Sequence, residues 1–211
     1  MGDELAKAIT KVIYPALKPE GFRRVRKRDL IRVENGIAQL LYFQVSNWGG
    51  RDFCVTASAN LIAANEFVTL QPSFRLARDT DGGDLWLPSK TTEEAEQSAG
   101  VVLKALRSAA LPYFEKVRTI QGFSALLAEE QWASTHHLSF QRGVAAALGG
   151  DIPAAQKQLT DAIRRYEEDG RDWCANYIDR AAQLLDALAT GDGIQLLSEW
   201  ERANRKAYGV S

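Results

Sequence analysis

In a chain of 211 residues, the side chains with chemical potential are two histidines, two cysteines and one dense run of cations. His136 and His137 are adjacent. Neighbouring residues on a helix point about 100° apart, so the pair cannot readily chelate one ion. No further histidine or cysteine motif supplies the remaining ligands of a zinc site. Both rings are expected to face solvent or to cap a helix start. Cys54 falls in an apolar strand pattern and Cys174 lies beside Trp173 near a helix start. With no C-x-x-C, the pair reads as two separate packed thiols in a reducing compartment. Asp79-Thr80-Asp81-Gly82-Gly83-Asp84 has the acidic density of a calcium loop. Where an EF-hand needs glycine and then a bidentate glutamate, this chain has Asp84 and Lys90, so a polar turn is expected. No G-x-G-x-x-G, P-loop or G-x-S-x-G occurs. No catalytic residue, metal site or cofactor is assigned.

Arg23-Arg24-Val25-Arg26-Lys27-Arg28 places five cations in six residues. Such a run can bind nucleic-acid phosphates or an acidic partner, with Arg23, Arg24 and Arg26 as the candidate contacts. It also suits an edge strand whose charges block edge-to-edge pairing. The stretch Asp79, Asp81, Asp84, Glu93, Glu94 and Glu96 is correspondingly acidic and could neutralise it within the fold. A net charge of -1 argues against a generally basic nucleic-acid binder. A second candidate is Trp48 with Gln44 and Asn47. An aromatic platform flanked by amides can hold a ligand, and a tryptophan can equally cover the end of a small sheet.

These residues need elements to position them. Leu5, Ala8, Ile9, Val12, Ala16 and Leu17 recur at helical spacing, with Asp3 as N-cap, Pro15 as a kink in the last turn, and Pro19 and Gly21 as the stop. Asn35-Gly36 is a two-residue hairpin signal, because both turn positions require positive φ. It sets Val33 opposite Ala38 and Ile31 opposite Leu40. Leu40 to Phe43 are apolar on both faces, so that strand is expected to be central and covered on both sides. Phe53 to Leu61 alternates with a small, polar face of Cys54, Thr56, Ser58 and Asn60. Two short strands are expected at 73–78 and 85–87.

From Thr91 the pattern turns helical. Thr91 and Glu94 form a capping box, and Pro112 should kink or end that helix. Gly149-Gly150-Asp151 and Gly191-Asp192 read as stop-and-cap breaks, the second with Gln195 completing a possible capping box. They divide the tail into two helical hairpins. The first resembles a tetratricopeptide unit at Gly143, Ala155, Leu159 and Ala162. It lacks that repeat's aromatic and terminal proline, and the second hairpin does not match at the repeat period of about 34 residues. Generic antiparallel helix packing is expected. Leu159, Ile163, Leu184 and Leu188 should pack on the sheet, leaving a groove near Arg142, Gln156 and Arg180.

The run Leu17-Lys18-Pro19-Glu20-Gly21-Phe22-Arg23-Arg24 resembles the opening of an uncharacterised bacterial family, a domain of unknown function. Phe43-Gln44-Val45-Ser46, Asp52-Phe53-Cys54-Val55 and Asp84-Leu85-Trp86-Leu87 are similar to its later elements, over about residues 1–120. The resemblance implies an α+β sheet domain and carries over no functional residue. Some relatives look like companions of bacterial toxin systems, which favours an interaction role.

The whole reads as an α+β protein: an antiparallel sheet with an N-terminal helix over 1–118, then an all-α helical-hairpin segment over 119–211 packed on it. The start of the chain lacks the basic and apolar regions of a signal peptide, and no apolar run reaches membrane-spanning length, so a cytoplasmic location is expected. The leading function is a non-enzymatic module that binds another protein. The rivals are an enzyme or small-molecule binder at a cleft near Gln44 and Trp48, and nucleic-acid binding through Arg23 to Arg28.

Overall fold

A computed structural model describes residues 3–47, 51–64, 72–78, 81–131 and 135–210. The carboxylate of Asp3 accepts from the Ala6 amide at 3.1 Å and starts α1, Glu4–Ala8. The helix continues through a π-turn, Ile9–Ile13, into α2, Tyr14–Leu17, and a 3-10 turn, Lys18–Glu20. Gly21, at φ 87°, ends it in a left-handed conformation open to glycine.

Six antiparallel strands follow: β1 Arg23–Arg26, β2 Asp29–Glu34, β3 Ile37–Val45, β4 Asp52–Leu61, β5 Ser73–Arg75 and β6 Leu87–Pro88. The order is β1-β2-β3-β4-β5, with β6 against the first residues of β4. Asn35 (φ 50°) and Gly36 (φ 77°) make the β2–β3 turn. The register is the expected one, Val33 opposite Ala38 and Ile31 opposite Leu40. β3 is central and covered on both faces. Leu41 and Phe43 join one buried cluster with the N-terminal helices, while Ala38 and Leu40 join another with Ile31, Ile62 and Val210. Of the two expected short strands, the first is confined to β5 and a lone bridge between Ala77 and Asp84. The second pairs with Phe53 of β4.

Thr91 and Glu94 form the expected capping box of α3, Thr92–Ala105. Pro112 does not end this helix. A π-turn, Leu106–Ala110, precedes α4, Leu111–Lys116, and carries the chain through. The same solution occurs at Pro15. In each helix the residue before the proline donates to the carbonyl five back, Tyr14 to Ile9 and Leu111 to Leu106. A proline has no N–H for an ordinary i to i−4 bond, and the wider turn accommodates the break.

The tail is α5 Ile120–Glu129, α6 Thr135–Leu148, α7 Ile152–Asp169, α8 Cys174–Thr190 and α9 Gly193–Tyr208. Asp151 caps α7 by accepting from the Ala154 amide. At the second break, Gly191 adopts φ 91°, but the Asp192–Gln195 capping box does not form. Asp192 accepts from the Thr190 hydroxyl instead, and Gln195 donates to Glu199. Gly143 is where α6 meets α7. A Cβ there would lie 2.7 Å from Leu159 Cγ, so only glycine allows this approach.

Two large cores result. One lies between the sheet and α1–α4, around Phe22, Phe43, Phe53, Val102 and Phe114. The other joins the far end of the sheet, at Ile37, Ala59, Leu61, Ala63 and Ala64, to tail residues that include Leu159, Leu184 and Leu188. Ile163 is half-buried against that second core. Both cysteines are unbridged and buried. No helix among the described residues is long and apolar enough to cross a membrane.

Candidate functional site

The basic run forms β1 and the turn after it, at the edge of the sheet. Arg24 is anchored there, its guanidinium donating to the Thr10 hydroxyl and to the carbonyls of Arg26 and Lys27. Lys27 and Arg28 share the Asp3 carboxylate at 3.0 and 2.9 Å. Burial pushes that carboxyl up, but Lys27, the Ala6 amide and Arg28 outweigh it and hold it below the usual range. Arg26 lies 4.0 Å from Asp29, whose carboxyl is pushed up by burial against the pull of Arg26 and Arg28. Asp79 of the acidic stretch lies outside the described residues, and Asp81, Asp84 and Glu96 pair with cations other than this run. Asp81 pairs with Arg78, Asp84 with Arg75, and Glu96 with Lys11 of the N-terminal helix. Arg26, Lys27 and Arg28 pair with local carboxylates instead, because the two stretches lie on different elements.

Gln44 stands near the end of β3, paired in register with Cys54. Its side-chain oxygen accepts from Arg75 at 3.5 Å. Asn47 is exposed, and Trp48 lies outside the described residues. Val45 and Arg51 line a cleft of about 330 Å³ with Asp3, Glu4, Leu5, Lys27, Arg28 and Ser89.

Arg142 and Arg180 are held by the fold. The guanidinium of Arg142 donates to the carbonyls of Leu127 (2.7 Å), Ala128 (3.3 Å) and Glu130 (3.2 Å) and so closes the C-terminus of α5. Arg180 donates to the Ala63 carbonyl at 2.8 Å and lies 4.4 Å from the Trp200 ring centroid. Arg142 lines an open groove of about 640 Å³ between α5, α6 and the start of α7. Its walls include Ile120, Leu127, Ala146, Ala154 and Gln158, whereas Gln156 and Arg180 lie outside that lining.

The histidines neither face solvent nor cap a helix. Each is only 8% exposed. Antiparallel packing brings the start of α6 against the end of α7 and the start of α8, where Tyr166, Trp173 and Tyr177 surround the pair. Nδ1 of His137 shares a 2.8 Å hydrogen bond with the Tyr166 hydroxyl, and its ring stacks on Trp173 at 5.3 Å. Burial is the main cause that lowers the His137 imidazole to about 4, with His136 and Arg171 adding to it. Burial also lowers His136, against Asp169. The Tyr166 phenol is pushed well above its ordinary value by burial, so a neutral ring meets a protonated phenol. The nearby Cys174 thiol is pushed up by burial and by Asp169, the direction opposite to that of an activated nucleophile. Among the described residues, no three His, Cys, Asp or Glu side chains are grouped to hold a metal. The only signal in the sequence was aromatic residues at both ends of adjacent helices, a pattern that gains meaning once the hairpin order is known.

The resemblance to an uncharacterised domain is borne out. Residues 13–116 match the family model described as Domain of unknown function (DUF4304), which spans the sheet and most of the helices packed on it. No curated protein matches the chain, and no solved structure does.

Proposed function

We propose that this chain, a domain of unknown function carrying a helical tail, is a non-enzymatic protein-interaction module. The observation that carries this reading is the groove of about 640 Å³ between α5, α6 and α7. Its two charged wall residues are both engaged with backbone: Arg142 with the end of α5, and Asp151 with the start of α7. A wall of this kind can recognise an apolar segment. Among its described residues it holds no histidine or lysine to act as a base for the Ser124 hydroxyl, and its carboxylate, Asp151, is taken up in capping α7. Grooves between helices typically take the apolar face of a partner's amphipathic helix. The toxin-companion role implied by the family resemblance is one form such an interaction would take. Two buried, unbridged thiols support a reducing, cytoplasmic setting.

The groove volume also falls within the range of about 300–1,000 Å³ common to small-molecule pockets, which is the competing reading. Peptides selected from a displayed library against the full chain should share apolar residues at helical spacing. They should lose binding to Ser124→Trp and Gln158→Trp, which fill the groove without touching either cap. Selected peptides that bind these variants equally well would overturn the reading. A metabolite that raises Tm in wild type but not in the variants would transfer the groove to the small-molecule reading.

A further inference from the structure

The N-terminal helix and the turn after β1 enclose a second, shallow cleft of about 440 Å³, lined by Lys7, Thr10, Lys11, Arg24 and Lys27, with Asp3 as the one carboxylate among its described walls. We propose that this cleft binds a phosphate-bearing ligand. Its lining carries four cations and one carboxylate, and although Glu4 and Glu96 pair with Lys7 and Lys11 from outside that lining, the balance here stays positive in a chain whose net charge is -1. The fold creates this excess by laying the basic turn beside a helix that contributes Lys7 and Lys11.

The four cations are not equivalent. Arg24 is pre-ordered: the Thr10 hydroxyl accepts from one terminal nitrogen, the Lys27 carbonyl from the other, and the Arg26 carbonyl from Nε. A guanidinium carries five N–H donors, so one on each terminal nitrogen is left for an anion. Thr10 itself donates to the Ala6 carbonyl and serves to position the arginine. The lysines are long, solvent-exposed complements to this fixed group. Each pairs with a single carboxylate that is itself more buried, Lys7 with Glu4, Lys11 with Glu96 and Lys27 with Asp3. With each ammonium standing in water, such a bridge contributes little, so the ammonium groups can turn to a multivalent anion while the carboxylates keep their other donors, Thr92 for Glu4 and the Ala6 amide and Arg28 for Asp3. A phosphate group offers three acceptor oxygens and a charge of about -1.5 to -2, which suits several converging ammonium groups better than the single charge of a carboxylate. The cleft at Val45 and Arg51 adjoins this one through Asp3 and Lys27 and adds Arg28 and Arg51 against one further carboxylate, Glu4. The cations thus continue beyond one phosphate and suit a chain of them, whether a free polyphosphate or a nucleic-acid backbone.

The test uses the full chain with three probes: inorganic tripolyphosphate, a single-stranded oligonucleotide and a polyglutamate peptide. Calorimetric titration should show saturable tripolyphosphate binding that weakens between about 50 and about 200 mM salt. The double variant Lys7→Gln, Lys11→Gln should keep the wild-type Tm and weaken binding roughly tenfold or more, while Lys104→Gln, on α3, should not. Arg24→Gln should weaken it as well. If that variant fails to fold, the double lysine variant still decides. An oligonucleotide that binds more tightly than tripolyphosphate assigns the phosphate to a nucleic-acid strand, and weaker binding assigns it to a free polyphosphate. Either result supports the site. No saturation below about 5 mM tripolyphosphate, equal affinity in the double variant, or equally tight polyglutamate binding would overturn it.

Discussion

Acidification should loosen the helical tail through His137. In the unfolded chain its imidazole titrates near the ordinary 6.5, whereas in the fold it is held down at about 4. The unfolded state therefore takes up the proton first. Stability is complete above about pH 6.5 and drains as the pH falls toward 4. At about 1.4 kcal/mol per unit, discounted for partial solvation of the ring, the expected loss is roughly 1–2 kcal/mol between about pH 7 and pH 5. His136 shifts in the same direction. The tail carboxylates Asp161 and Asp169, both lowered to about 2, keep their charge across this window and do not confuse it. Urea unfolding followed by tryptophan fluorescence reads the change, because Trp173 stacks on the His137 ring with the planes 13° apart. His137→Gln removes the titrating ring, and the pH dependence between those values should fall by about half or more. An unchanged wild-type midpoint at the two pH values would refute the reasoning, as would an unchanged slope in the folded variant. If the variant does not fold, an NMR titration of wild type decides: a His137 midpoint near its ordinary value would mean that the ring is not buried as described.

Gly36→Val forces a branched side chain into φ 77° and should cost about 1–3 kcal/mol in chemical denaturation; no loss would mean that the β2–β3 turn is not left-handed. Gly143→Ala gains about 1 kcal/mol of helix propensity but pushes a methyl into Leu159, at an overpacking cost of about 1–3 kcal/mol. Its Tm should fall, and a rise would mean that α6 and α7 can separate freely. Arg142→Ala strips the end of α5 of its donors and should destabilise by roughly 1–3 kcal/mol, whereas a role confined to partner binding would leave unfolding unchanged. Alkylation of denatured, unreduced protein should modify both Cys54 and Cys174, and a mass two units lower with neither modified would contradict the free thiols.

What could be read from sequence was local. The Asn35-Gly36 turn set a register because its backbone requirement is satisfied by few residue pairs, and each strand partner then followed by counting. Thr91 and Glu94 were readable for the same reason: a capping box closes within four residues. The histidines were misread because their environment is made by Tyr166, Trp173 and Tyr177, which belong to other helices. Arg142 was read as a charge on a groove wall. Its actual role depends on where the end of α5 comes to rest, which is a tertiary fact. That the helix continues past Pro112 was not legible, because the proline rule concerns α-helical bonding and a one-turn π-segment carries the chain through without leaving a mark in composition. The basic run was recognised as a sheet edge or a binding surface, but Lys7 and Lys11 of the N-terminal helix, which complete its cleft, are about fifteen residues distant and carried no separate signal.

The second face of the sheet has a consequence for the order of events in synthesis. Leu40 and Ile62 are buried there with Val210, and the Ile62 carbonyl receives its hydrogen bond from Asn204. The two ends of that bond are 142 residues apart. At roughly 5–20 residues per second, β3 and the end of β4 leave the ribosome on the order of 7–30 s before α9 can reach them. For that interval one face of the central strand is wetted, although every strand it pairs with has already been made. Contacts of such long range also slow refolding from denaturant, since the loop must close before the apolar face is rewarded. The nascent sheet is thus a half-covered intermediate by the order of its own chain, and its closure waits on the last helix.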